Sequence, residues 1–218
     1  VTDAVVLRHN RIDLALHELR AEGAGRPLLH LHGLGERSPH EVPAHLAAWP
    51  GPVWALDFSG HGDSAAAAGG GYFCEVLMGD ADHAVAHIGE VTVYGRGLGA
   101  YIALLIAGGR PALVRGAILA DGPGLAGGGP APGSPVILPP TYGADEPARP
   151  DPLAVAELQR DIRPPDYATT FARQAATLSG LDSAIAVVGV NRPPWLTAVV
   201  DEQGVLECRL EDALSLFA

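Results

Sequence analysis

Between residues 27 and 124, short apolar runs repeatedly end in glycine-rich turns: LLHLHGLG, PVWALDFSGHGDS, VTVYGRGLG and GAILADGPG. Apolar runs of this kind, without strict polar alternation, read as strands buried on both faces, as in a parallel sheet. Between them lie stretches with helical spacing. Pro43–Trp49 is a short helix candidate, Tyr72–Ile88 carries helical apolar spacing, and LGAYIALLIAG follows the third run directly. Strand and helix patterns in alternation call for βαβ units, and hence for an α/β fold with helices on both faces of a mostly parallel sheet.

The flanks fit the same plan. VVLRHNRIDLALHELR alternates apolar and polar residues across a central break, as two antiparallel strands do, and AEGAGRP is a loop. Residues 125–152 are rich in proline and glycine and read as irregular. Two short helices are expected over Pro152–Asp161 and Asp166–Ser179. AIAVVGV then resumes the sheet, PPWLTAVV starts a helix at a proline, and GVLECRL is a last strand. The 218 residues, 48% of them hydrophobic, suit a single domain (1–218) with residues 125–180 as a lid-like insertion above the sheet.

A formal net charge of −11 argues against nucleic acid and against an anionic membrane surface as partners. Cys74 and Cys208 stand far apart without metal-ligand spacing and read as reduced thiols. No signal-like segment and no run of about 18 apolar residues is evident, so a cytoplasmic protein is expected.

Three motifs carry a resemblance. His32-Gly33 follows the first buried run. Asp57-Phe58-Ser59-Gly60-His61-Gly62-Asp63-Ser64 follows the second, and Gly95-Arg96-Gly97-Leu98-Gly99 the third. In this order they resemble the HG turn, the D-x-x-G-x-G-x-S signature and the nucleophile elbow of the α/β-hydrolase superfamily, over nearly the whole chain. The resemblance implies an α/β-hydrolase-like sheet and an oxyanion hole at the backbone amides of Leu34 and Leu98.

Its chemistry is incomplete. The elbow position that carries serine in the family is Gly97, whose backbone suits the strained turn but whose hydroxyl is missing. The family's base is a histidine after the last strand; here the nine histidines lie at 9, 17, 30, 32, 40, 45, 61, 83 and 87. The acid position after the penultimate strand offers Asn191, and Asp121 matches an alternative acid position one strand earlier. A Ser-His-Asp mechanism is therefore not available.

Other side chains offer less chemistry. Ser59 and Ser64 read as turn residues, Cys74 as a buried inert thiol, and His30 as a hydrogen-bonded core histidine. His32 and His61 suit structural turns better than a metal, and no metal or cofactor is expected. Asp121 either caps turn amides or faces a ligand. Arg96 binds an anionic group, or pairs with Asp121 or a helix end. Gly95-x-Gly97-x-x-Ala100 also satisfies a dinucleotide fingerprint, with Asp121 near the distance of a ribose ligand; however, at least two parallel strands precede it, where the fingerprint belongs in the first βαβ unit.

The expectation is a degenerate α/β-hydrolase homologue that binds a small-molecule ligand or a protein partner, through His32, Gly33, Leu34, Arg96, Gly97, Leu98 and Asp121. An enzyme using a non-standard group, such as water activation by His32 or Asp121, is the alternative.

Overall fold

The structure, a computed structural model, describes residues 4–131 and 149–218. Its sheet has eight strands in the order β1-β2-β4-β3-β5-β6-β7-β8. β1 (Val5–His9) and β2 (Ile12–Arg20) form the expected antiparallel hairpin, and β2 pairs antiparallel with β4 (Val53–Leu56). From β4 the sheet is parallel through β3 (Leu28–Leu31), β5 (Val91–Arg96), β6 (Val114–Ala120), β7 (Ile185–Val187) and β8 (Val205–Glu207).

The period-2 alternation of these strands divides the core into two layers. Leu29, Leu31, Val91, Val93, Ala117, Leu119, Ile185 and Val187 face one side. That side is covered by α1 (Cys74–Ile88), α2 (Leu98–Gly109), α3 (Pro152–Arg160), α4 (Pro165–Leu178) and α5 (Pro194–Val200). Leu28, Tyr94, Ile118 and Ala186 face the other, under a 3-10 turn (Ala44–Leu46) and α6 (Leu210–Phe217). α2 has no polar face because it is enclosed by the sheet, α1 and α4.

Two expectations are revised. The first concerns α6, since no helix is expected beyond GVLECRL. Eight residues without a side-chain cap give a weak local signal, and Ala213, Leu214 and Phe217 become a helix face by packing on the sheet. The 125–180 segment also differs from an insertion above the sheet. α4 packs between α2 and α5 through Ala168, Ala172 and Ala175, within the helical layer. Residues 132–148 of the expected lid lie outside the described residues.

α3 is tied to the start of α1, whose N-cap residue Phe73 makes no side-chain cap. Glu157 accepts from the amides of Gly71 (2.8 Å) and Tyr72 (2.7 Å), and Asp161 from that of Cys74 (2.7 Å). These carboxylates satisfy donors that the helix start leaves open. Burial pushes the Cys74 thiol well up, consistent with an inert side chain. Among the described residues no helix is long and apolar enough to cross a membrane.

Candidate functional site

The elbow forms as its glycines require. β5 ends at Arg96, Gly97 takes φ 59° and ψ −120°, and α2 begins at Leu98. This left-handed backbone is costly for any residue with a Cβ. Gly99 allows the second close approach. Its amide donates to the His32 carbonyl at 3.1 Å, and a Cβ there would lie 2.7 Å from that oxygen.

The loops after β3 and β4 are saturated with internal hydrogen bonds. Fully buried His32 accepts from the Phe58 amide at Nε2 (3.2 Å), so its proton lies on Nδ1, which donates to the Gly33 carbonyl (2.8 Å). Burial, reinforced by His61, pushes its pKa down to about 4, so the ring is neutral at physiological pH. His61 is used in the same way. It accepts from the Gly35 amide (3.2 Å) and donates to the Ser59 carbonyl (3.1 Å), and burial lowers its pKa.

Asp57 organises the signature loop. Its carboxylate accepts from the amides of Ser38 (2.6 Å) and Asp63 (2.7 Å) and from His17 Nε2 (3.0 Å). Burial alone would raise its pKa, but these hydrogen bonds outweigh that and hold it well below the usual carboxylate range. Ser64 is a turn residue, donating to the Asp57 carbonyl (2.5 Å) and accepting from the Ala15 amide (2.9 Å). Ser59 is likewise committed, to Asp80 (2.7 Å). His17, Asp57 and Asp63 do converge, but both Asp57 oxygens are occupied by amides and Asp63 pairs with Arg37 (2.9 Å).

The decisive feature lies in the turn after β6. The carbonyl oxygen of Pro123 accepts from the Leu34 amide at 3.0 Å and from the Leu98 amide at 2.9 Å. An oxyanion would occupy that same position, about 2.7–3.1 Å from both donors. The expectation of an open carbonyl-binding hole at these amides is therefore corrected, because the chain's own backbone fills it. The space above Gly97 is filled as well. A Cβ at Gly97 would overlap the Pro123 oxygen and stand 2.6 Å from the Gly122 carbonyl carbon.

Side chains from several elements fix this plug. Asp121 accepts from the amides of Val190 (2.7 Å) and Asn191 (3.1 Å), so it caps the loop after β7, not its own GPG turn. Arg163, buried between α3 and α4, donates to the Gly124 and Leu125 carbonyls while its guanidinium lies 4.8 Å over the Tyr101 ring. Trp195 Nε1 donates to the Leu125 carbonyl at 2.8 Å and packs edge-on against Tyr101. The Gly97 amide is taken by the Ala120 carbonyl (3.0 Å). With the Gly97 and Leu98 amides and Asp121 all engaged, the donors and the acid of a dinucleotide site are also committed.

The expected site residues thus separate. Leu34, Gly97 and Leu98 surround the plug, His32 and Gly33 support it from below, and Asp121 anchors its stem. Arg96 points to the opposite face of the sheet, where it pairs with Glu36, whose other oxygen accepts from the Gly33 amide (2.9 Å). It meets neither Asp121 nor a helix end. Pro123, Arg163, Trp195 and Glu36 had no place in the sequence reading. A backbone carbonyl has no residue-type signature, and the partners of the other three are distant in sequence.

Above the plug lies a cavity of about 720 Å³. Leu34, Leu125, Ala126, Val155 and Pro193 provide apolar walls, and Gln159, Asn191 and Arg192 the polar ones. Among the described residues its lining holds no serine, cysteine, histidine or carboxylate. It suits apolar groups and an amide-like hydrogen-bonding partner.

No protein-family model matches the sequence, and no curated protein does. Solved structures match by shape. An N-formylmaleamic acid deformylase from Pseudomonas putida S16 is 17% identical, with 94% of this chain and 91% of that one covered and a TM-score of 0.66. A hypothetical protein from Pseudomonas aeruginosa PAO1 is 15% identical over 99% and 98% of the two chains, with a TM-score of 0.65. A thioesterase domain from the curacin biosynthetic pathway is 15% identical over 98% and 96%, with a TM-score of 0.63. At such identities the likeness is one of fold, and the chain has the α/β-hydrolase fold.

Proposed function

We propose that this α/β-hydrolase-fold protein is non-catalytic and binds a small, mostly apolar molecule in the cavity above the plug. One observation carries the reading: the Pro123 carbonyl occupies both amides that would otherwise stabilise a tetrahedral oxyanion. Three further facts support it. Position 97 is glycine, the cavity lining offers neither nucleophile nor base among the described residues, and no histidine follows residue 87. A water-activating route through His32 or Asp121 is less well supported, since both His32 nitrogens and both Asp121 oxygens are already hydrogen-bonded. The ligand's apolar body would lie on Leu125, Val155 and Pro193, with a carbonyl or amide group at Gln159 and Asn191. On this reading the protein is cytoplasmic, and its net charge of −11 argues against nucleic acid and an anionic membrane surface as partners.

Two measurements on the purified protein test this reading. With the acetate, butyrate and octanoate esters of p-nitrophenol, no turnover above the buffer rate is expected. Turnover that Asp121→Asn abolishes would overturn the non-catalytic reading. Titration with hexanamide should shift the side-chain amide resonances of Gln159 and Asn191, and unshifted resonances at saturating hexanamide would remove the cavity from the proposal.

A further inference from the structure

A second cavity, of about 510 Å³, lies on the opposite face of the sheet, over the carboxyl ends of β3 and β5. Connections leave these neighbouring strands in opposite directions. β3 leads through the 3-10 turn to β4 on one side, and β5 leads through α2 to β6 on the other. Ligands of open α/β sheets gather at such a switch point. The walls come from His30, Glu36, Arg37, Pro39, His45 and Arg96.

Three features of this cavity point to one chemistry. Glu36 is fully committed, with one oxygen on the Gly33 amide and the other on Arg96. Arg96 spends only Nη1 on that pair, and the rest of its five-donor fork meets no protein acceptor among the described residues. His30 is 4% exposed, and its Nδ1 has no hydrogen-bond partner. A buried polar atom without a partner is destabilising, so its presence at a cavity calls for an explanation. The expectation of a hydrogen-bonded core histidine is corrected in this respect. The Tyr94 ring packs against both histidines, its centroid 5.5 Å from that of His30 and 5.4 Å from that of His45.

From this arrangement we infer that the cavity is a binding site for a small organic carboxylate, held by the guanidinium of Arg96 and hydrogen-bonded to the imidazole of His30. A planar guanidinium takes a carboxylate through paired N–H donors, and an arginine whose own acid partner is engaged elsewhere retains donors for that purpose. Arg37 is paired with Asp63 (2.9 Å) and Glu36 with Arg96, so the carboxylate is drawn by the unspent donors of Arg96 and by His30, not by an unpaired charge. This site is independent of the proposed apolar cavity and stands or falls separately.

The test is an NMR titration of the full chain with benzoate, reading the imidazole nitrogens of His30 and His45 and the Arg96 Nε–H. Benzamide, its neutral counterpart, and inorganic phosphate are the comparison probes. Benzoate should shift all three groups in one saturable curve, with benzamide and phosphate each at least tenfold weaker. Arg96→Gln should weaken benzoate at least tenfold. His45→Ala, at an exposed position, should weaken it less and leave the shift at His30 intact. Unshifted His30 and Arg96 signals at high benzoate would overturn the assignment, as would equal binding of benzamide. Phosphate binding more tightly than benzoate would replace the carboxylate with a different anion and overturn the ligand class.

Discussion

Asp57 and Asp121 occupy equivalent places, each the first residue beyond a parallel strand, and their loops use backbone polarity in opposite senses. The Asp57 loop gathers amides around a buried carboxylate, and its carbonyls serve local turns. In the Asp121 loop the carboxylate reaches out to Val190 and Asn191 while the Pro123 carbonyl turns inward onto two amides that follow β3 and β5. The first loop therefore builds the frame that an α/β-hydrolase site needs, and the second fills the space that the frame encloses. On the non-catalytic reading proposed above, the scaffold of the fold is kept while a single turn removes the room for a reaction.

The largest expected effect comes from restoring the missing hydroxyl. Gly97→Ser puts a Cβ into left-handed backbone and against the Pro123 carbonyl, and should cost about 4 kcal/mol of stability. Urea unfolding measures the loss, and ester hydrolysis should remain at the buffer rate. A stable, active Gly97→Ser variant would break the comparison, because the second loop would then leave room for chemistry.

Next come the two aspartates themselves. Asp57→Asn removes a fully buried anion from two amides and His17 and should cost about 3 kcal/mol. Asp121→Asn weakens hydrogen bonds to two exposed amides and should cost only about 1 kcal/mol. Chemical denaturation of both variants checks the order. A reversed order would mean that the stem of the plug, not the signature loop, supports this edge of the sheet. Arg163→Leu, which strips the Gly124 carbonyl of its donor and leaves the Leu125 carbonyl to Trp195 alone, should fall between them at about 2 kcal/mol.

Mild acid should act more gradually than these substitutions. His32 and His30 are held neutral, with pKa values pushed by burial down to about 4 and about 3. An unfolded chain takes up these protons below pH of about 6.5, whereas the folded chain resists until about 4 or 3, so stability falls as pH falls through that window. Asp57 adds its own loss only below pH of about 4, where its unfolded form begins to protonate. Denaturation midpoints between pH 7 and 4.5 should fall steadily in the native protein and less steeply in His32→Asn. Equal slopes would show that His32 does not carry this dependence.

Legibility in the sequence follows the same division. The Asp57 loop was readable because two of its hydrogen bonds, from the Asp63 amide and from Ser64, close within seven residues, in a spacing that specifies its own turn; Ser38 and His17 come from farther along the chain. The parallel strands were readable from unbroken apolar runs, and the elbow from glycines that only a tight turn requires. The plug was not readable. Its central atom is a carbonyl oxygen that any residue possesses, and it is held by Leu34, Arg163 and Trp195 from remote parts of the chain. α6 escaped for a related reason, since its helical face is defined by the sheet beneath it more than by its eight residues.

One carbonyl oxygen, that of Pro123, occupies the amides of both Leu34 and Leu98. The most direct test is a through-hydrogen-bond coupling experiment on the deuterated, doubly labelled protein, from the amide nitrogens of Leu34 and Leu98. Both should couple to the carbonyl carbon of Pro123, a convergence that no helix or strand ladder produces. Absent couplings at these two amides, with their neighbours in β5 and α2 coupled normally, would contradict the plug and reopen the site.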